Sequence, residues 1–497
     1  MPVHRQVRRA ILEAIVNGGH QEGTRLPSIQ KMSEMLNVNR LTVLKAVRAL
    51  IQKNALRSVM GKGLFVAAHP DKRTLGGMNS EDGQGLFGGE RFFEGIAEGP
   101  DTVVESERVE RIGPFVAESL DTQMISFAVG FPPSGLLPVE AIRRRTNRLL
   151  LSDEAAAVLG YTGGAGDKGL IASIRDLLSK RGVVFGPDDH IIVTHGAQQA
   201  LTLCLERYFQ HVGALAIESP GYMGAVAACR QRGIPLVPVP VDQGGINPGR
   251  LAEALSRSEV RGVYTVPTFQ NPTGVTQHLA RRKRIVSLAE KHGALIIEDD
   301  TYADLRLGGK PVPPILSLEG GERVMYIGSF SKSIAPGLRV GFVAAKGDIG
   351  RELLHLKETV DISTGALSQA VVRDFIESGA YRRHLSSVRQ EYRLRRDAMV
   401  EAISRMLGDV VRVVSPKGGL HLYVMFTHPV DIESLEKRCR SAGVLFAPGA
   451  LFFSDGRRPS AVRLNFALHT AAVIEEGIRR LAECLKEEMT SCATPSL

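Results

Sequence analysis

The residues best suited to do chemistry lie in the run Gly328-Ser-Phe-Ser-Lys332-Ser-Ile-Ala-Pro-Gly-Leu-Arg339. Apolar, strand-like segments flank it: Val324-Met-Tyr-Ile327 before and Val340-Gly-Phe-Val-Ala344 after. Lys332, with Ser329 and Ser331, therefore belongs on a tight turn between two buried strands, and Arg339 follows seven residues later. A lysine in a low-dielectric place loses part of its preference for the ammonium form and becomes a better nucleophile. Such an amine can hold an aldehyde as an imine. Two serine hydroxyls and a guanidinium are the groups suited to an adjacent phosphate monoester dianion.

The elements that must position this turn recur along the middle of the chain. Short apolar strands, expected at 191–194, 214–217, 235–239, 262–266, 294–298, 323–327 and 339–344, alternate with helices near 197–209, 222–231, 249–256 and 279–292. That alternation implies an α/β fold with a mostly parallel sheet covered on both faces. Ligands in such sheets bind beyond the carboxyl ends of the strands. Five successive strand ends carry polar or aromatic groups: Thr194-His-Gly-Ala197-Gln198-Gln199, Glu218-Ser-Pro-Gly-Tyr222, Pro267-Thr-Phe-Gln-Asn271-Pro-Thr-Gly274, Asp299-Asp-Thr-Tyr302 and the lysine turn itself. Each alone is ordinary turn or cap chemistry; five in succession point to one site. The free N–H groups of a helix starting at Ala197, with the Gln198 amide, suit a phosphate. From about residue 345 long amphipathic helices, such as 381–407, accompany strands near 420–426 and 461–466. The second of these strands carries Arg463 among apolar neighbours, where a guanidinium is costly unless it meets an anion.

The amino-terminal part has another character. The first 73 residues hold 13 Lys and Arg against 4 Asp and Glu, and the other 49 basic and 49 acidic residues cancel, so the whole excess of +9 lies at one end. This asymmetry suggests a nucleic-acid-binding module joined to a neutral body. Val7, Ile11, Ala14 and Ile15 have helical spacing, and a second helix is expected to begin around Thr24–Ser28 with Pro27 at its entrance. A third, over 40–53, turns Val43, Ala46, Val47 and Leu50 inward and Arg40, Thr42, Lys45 and Arg48 outward. Two short strands around Gly61-Lys62-Gly63 follow. Three helices and a glycine-tipped hairpin outline a winged helix-turn-helix, whose third helix enters the major groove of double-stranded DNA. Residues 69–118 are rich in glycine and poor in periodicity, as expected of a flexible linker. The five scattered cysteines lack metal-ligand spacing and read as reduced thiols, and no metal site is expected. No run approaches the ~20 apolar residues of a membrane span. With no apolar signal segment at the start, a cytoplasmic location away from membranes is expected.

Two resemblances follow from these motifs. Gly23-Thr-Arg-Leu-Pro-Ser28, Val38-Asn-Arg-Leu-Thr-Val43 and Gly61-Lys-Gly-Leu-Phe-Val66 resemble the GntR-type DNA-binding domain over residues 1–68. That resemblance implies that Arg40, Thr42 and Lys62 touch DNA. Residues from about 119 to 490 look like a fold-type I, class I aminotransferase dependent on pyridoxal 5'-phosphate, with a large part over about 160–345 and a smaller α+β part over 346–490. The resemblance implies that Lys332 binds the cofactor as an imine and that Asp299 pairs with its pyridinium nitrogen. By the same likeness Asn271 and Tyr302 address the ring hydroxyl, and Tyr222 stacks on the ring. Ala197, Gln198, Ser329, Ser331 and Arg339 would surround the phosphate, and Arg463 would clamp a substrate carboxylate. It also implies a homodimer, in which Tyr161 reaches the phosphate site of a second copy. The two modules together resemble the MocR-type regulators. The expectation is a transcription factor that binds pyridoxal phosphate and senses an amino acid, an amine or the cofactor itself. The alternative is a catalytic aminotransferase with a vestigial DNA-binding domain.

Overall fold

The computed structural model describes residues 123–493 and, ahead of them, residues 7, 8, 11, 25–27, 29–35, 38–52, 55–59 and 63–66. The chain divides into two compact units, Met1–Glu105 and Ser106–Leu497. Lys62 and the expected linker over 69–118 lie outside the described residues, as do Ala14 and Ile15.

In the first unit β1 (Arg25–Leu26) is followed by α1 (Ile29–Met35), α2 (Arg40–Gln52), β2 (Leu56–Val59) and β3 (Gly63–Val66). The sheet order is β1-β3-β2, with both pairings antiparallel. Arg25–Leu26, expected at a helix entrance, forms instead the third strand of the wing sheet, with Leu26 opposite Leu64. The segment gains ladder hydrogen bonds and buries Leu26, and the helix begins only after Pro27 and Ser28. The core joins Val7, Ile11, Met32, Val43, Val47, Leu50, Leu56 and Val66, so the inward face read from helical spacing in α2 is the buried one.

The second unit is α/β. After β4 (Ile125–Ser126) its strands are β5 (His190–Thr194), β6 (Ala214–Ser219), β7 (Leu236–Asp242), β8 (Gly245–Ile246), β9 (Val260–Thr265), β10 (Leu295–Asp299), β11 (Val324–Ser329) and β12 (Gly341–Ala345). They form one eight-stranded sheet in the order β5-β12-β11-β10-β9-β6-β7-β8, without β4. Neighbours from β11 to β7 are parallel, and β12 runs against both β11 and β5. Every residue of β6 and β12 is buried, as continuous apolar runs in a sheet covered on both faces should be. The helix α3 (Ala197–Tyr208) leaves β5 through Gly196. A smaller antiparallel sheet follows: β13 (Val411–Val413), β14 (His421–Phe426), β16 (Ala447–Pro448) and β17 (Ala461–Asn465), ordered β13-β14-β17-β16. Its missing number, β15 (Val444–Leu445), pairs with β4. Expected helix limits agree with the structure to within a residue or two, the long one spanning Ala380–Leu407. Arg339 falls outside its expected strand. It sits in a left-handed turn, φ 53°, two residues before β12 begins.

Candidate functional site

The parallel strands carry their carboxyl ends to one side of the sheet, and a cavity of about 260 Å³ lies there. Its wall includes every second-unit residue singled out for the cofactor or the carboxylate: Ala197, Gln198, Tyr222, Asn271, Asp299, Tyr302, Ser329, Ser331, Lys332, Arg339 and Arg463. Tyr161 is not part of this wall. It stands 85% exposed on a loop.

Lys332 leaves the turn after β11 and donates from Nζ to the Gly130 carbonyl at 2.7 Å, with the Phe131 ring 5.2 Å below the amine. Burial, with the Arg339 and Arg463 charges, pulls its pKa down to about 8. Asp299 closes β10. Its Oδ2 accepts from the Tyr264 hydroxyl at 2.7 Å and its Oδ1 from the Thr301 N–H at 3.3 Å. Desolvation nonetheless raises its pKa, so the carboxylate suits a cation held against it. Asn271 sits on the turn after β9. Buried Glu218, pushed up to about 7 by desolvation, accepts from the Thr265 hydroxyl, the Val266 N–H and the Gln270 and Gln277 amides, and so fixes the base of that turn.

Arg463 belongs to β17 and is buried. Its Nη1 donates to Asn271 Oδ1 at 2.9 Å, its Nη2 to the Ala128 carbonyl, and its charge lies over the Phe452 ring at 4.9 Å. Its Nε has no partner among the described residues. Desolvation lowers its pKa to about 10, a cost that an anionic ligand would relieve.

At the other end of the cavity, Gly196 precedes α3 with φ 79°, and no side chain caps the helix. The uncapped first turn presents backbone N–H groups to an anion. A Cβ on Gly196 would come within 2.7 Å of Arg339 Nη2, so glycine lets the guanidinium close on the helix start. Arg339 Nη2 donates to the His195 carbonyl at 3.2 Å. Ser331 Oγ is buried nearby and has no partner among the described residues. The Gln198 amide, expected to face phosphate, donates instead to the Gly224 carbonyl at 3.3 Å and accepts from the Tyr222 hydroxyl at 3.4 Å, tying the aromatic ring to the helix start. An uncapped helix, an arginine and an orphan hydroxyl at one end, with a lysine, a buried carboxylate and an arginine elsewhere, fit pyridoxal phosphate. Two residues that sequence reasoning missed complete the wall's polar chemistry: Tyr264 behind Asp299, and His421, whose Nε2 lies 3.3 Å from the Tyr302 hydroxyl.

In the first unit Arg40 opens α2 and is exposed, as are Lys45 and Arg48, whereas Thr42 is half-buried and its N–H donates to the Asn39 carbonyl at 2.8 Å.

Comparison with known proteins agrees with both halves. Residues 122–481 match the model of aminotransferase class I and II, and residues 4–66 match that of bacterial regulatory proteins of the gntR family. The chain belongs to the class I and II aminotransferase family, and it carries a GntR-type DNA-binding domain ahead of that fold. Family membership implies pyridoxal phosphate as the cofactor. The chain is 28% identical over 497 residues to a probable rhizopine catabolism regulatory protein, MocR, of Rhizobium meliloti, covering 100% of this chain and 96% of the relative. It is 35% identical over 373 residues to aromatic-amino-acid aminotransferase 1 of Thermococcus litoralis, covering 74% of this chain and 89% of that enzyme. The crystal structure of LysN, an alpha-aminoadipate aminotransferase of Thermus thermophilus complexed with N-(5'-phosphopyridoxyl)-L-leucine, superposes with a TM-score of 0.70. It is 31% identical and covers 78% of this chain and 99% of its own. The architecture is thus that of MocR-type regulators, a winged helix-turn-helix joined to an aminotransferase fold. Among the described residues no helix is long and apolar enough to cross a membrane.

Proposed function

We propose that this chain is a DNA-binding transcriptional regulator whose aminotransferase-like domain binds pyridoxal phosphate on Lys332 and responds to an amino compound. The observation that carries this reading is the conjunction, in one chain, of a GntR-type domain with exposed Arg40, Lys45 and Arg48 and a cavity walled by Lys332, Asp299 and Arg463. When bound, the cofactor supplies an aldehyde and a ring that accepts electrons from a group attached to it.

The chain's own residues do the rest. Lys332, with its pKa near 8, is about one-tenth neutral at pH 7, far more than an ordinary lysine, and is the group to carry the aldehyde. When it no longer carries the aldehyde, its Nζ would be the group to accept and return a proton at a ligand's α-carbon. Asp299 would hold the ring nitrogen protonated, with Tyr264 fixing the carboxylate's orientation. Tyr302 and Asn271 would address the ring oxygen, and Tyr222, tethered to Gln198, would cover the ring face. Ala197 and Gln198 at the helix start would join Ser329, Ser331 and Arg339 around the phosphate. Arg463, held by Asn271 and the Ala128 carbonyl, would offer its free Nε and adjoining Nη to a carboxylate. Arg40, Thr42 and Lys62 are assigned to DNA, and two copies with Tyr161 crossing between sites make the functional unit. Residues 1–68, 69–118 and 119–490 are taken as DNA-binding domain, linker and sensing domain.

Full transamination is the second reading, favoured by the likeness to the Thermococcus litoralis enzyme. Titrating amino acids against the bound cofactor's visible absorption, with and without a keto acid, separates the two. A regulator gives a saturable spectral change without product; sustained conversion of the keto acid to amino acid supports the enzyme instead.

A further inference from the structure

His421 stands at the start of β14, 3% exposed, and lines the same cavity. Strand pairing sets Tyr423 opposite Arg463 and His421 opposite Asn465, so His421 shares a sheet face with Arg463. Its ring lies edge-on to Tyr302, centroids 5.7 Å apart and planes at 81°, with Nε2 3.3 Å from the phenol oxygen. A Cβ on Gly130 would come within 2.7 Å of its Cε1 and 2.9 Å of its Nε2. The missing side chain at 130 therefore makes room for the imidazole, while the carbonyl of the same residue holds Lys332.

The charged and titratable groups facing His421 are Tyr302 from beyond β10, Lys332 from beyond β11 and Arg463 from β17. Burial and those two cations keep the imidazole neutral, well below its ordinary range. One ring nitrogen of a neutral imidazole donates and the other accepts. Nδ1 is buried without a partner among the described residues. A buried N–H without an acceptor is rarer than an under-used acceptor, which assigns the proton to Nε2 and makes it the donor to the phenol oxygen. With the imidazole donating to its oxygen, the phenol sends its own hydrogen to another neighbour, and hydrogen bonds in such a chain strengthen one another.

We propose that His421 is a positioning residue for Tyr302: by donating from Nε2 it commits the phenol hydroxyl as a donor to the ring oxygen of bound pyridoxal phosphate. The inference rests on the role assigned to Tyr302 above. A committed donor stabilises an anionic ring oxygen and so lowers the pH midpoint of the cofactor's visible absorption.

The test is that midpoint, measured on full-length protein loaded with pyridoxal phosphate, for wild type, His421→Phe, His421→Gln, Tyr302→Phe and the Tyr302→Phe/His421→Phe double variant. Tyr302→Phe should raise the midpoint, corresponding to a roughly tenfold or greater gain in proton affinity, and His421→Phe should raise it by roughly threefold to tenfold in the same terms. His421→Gln, which returns an N–H near the Nε2 position, should recover most of the wild-type value. In the Tyr302→Phe background the His421 change should have no further effect. An unchanged midpoint in His421→Phe, or an undiminished shift in the absence of the Tyr302 hydroxyl, overturns the inference while leaving the cofactor site standing. An unchanged midpoint in Tyr302→Phe overturns the assigned role of Tyr302 as well.

Discussion

The two units use positive charge in opposite ways. In the first, Arg40, Lys45 and Arg48 stand exposed along α2, where a cation is cheap to keep and its attraction is screened by salt. In the second, Lys332 and Arg463 are withdrawn into a cavity where desolvation pulls their pKa values down to about 8 and about 10. Solvated cations suit a long polyanion met at a surface, where affinity comes from counterion release. Desolvated ones suit a small ligand whose charge is matched group by group, because an unmet charge there is expensive. On the proposed function, one chain would separate a salt-sensitive contact from a salt-resistant, pH-sensitive one.

This contrast breaks most sharply at Lys332. Lys332→Ala should abolish the visible absorption of bound pyridoxal phosphate and leave no borohydride-reducible link; a link surviving in that variant would remove the lysine from its role. Attachment of cofactor to the cofactor-free protein should be fastest above about pH 8. Below that value the neutral amine, and the attachment rate read by stopped-flow absorbance, should fall about tenfold per pH unit. A rate still climbing up to pH 10 would mean that the amine is not desolvated. Arg463→Lys, which gives up the planar fork, should weaken a carboxylate-bearing amino acid by about 1.5–3 kcal/mol in spectral titration, with little change for an amine lacking the carboxylate. Equal losses for both would place Arg463 outside ligand recognition. The smallest effect is expected at the exposed cations: Arg40→Ala should cost about 1–3 kcal/mol of DNA affinity and relax sequence preference.

Much of this was legible in the sequence, for a definite reason. Residues at the carboxyl ends of parallel strands share one side of a sheet whatever its exact order, so Tyr222, Asn271, Asp299, Tyr302 and Lys332 could be gathered from strand positions alone. Arg463 could be singled out because an arginine in an apolar strand needs an anion. Tyr264 and His421 could not be assigned that way. Tyr264 is the next-to-last residue of β9, and its meeting with Asp299 depends on the register of β9 against β10. His421 lies 119 residues from Tyr302, at the start of a strand in the smaller antiparallel sheet. The only sequence signal was a histidine closing Gly418-Gly-Leu-His421 at a strand start. The Arg25–Leu26 strand escaped for a related reason: two residues carry no alternation, and the partner lies some forty residues on. The Gln198 amide was expected to face phosphate because a helix start is its nearest feature, but Tyr222 and Gly224 compete for it from the next strand end.

The most direct test is a salt-controlled mobility-shift series on one operator duplex, comparing full-length protein loaded with pyridoxal phosphate, its Lys332→Ala variant and a chain beginning near residue 110. The account predicts steeply salt-dependent binding by the first two, an amino-compound effect on the first alone, and none of this binding by the third. If the chain beginning near residue 110 held the duplex as tightly as the full-length protein, the division of labour between the two units would be contradicted.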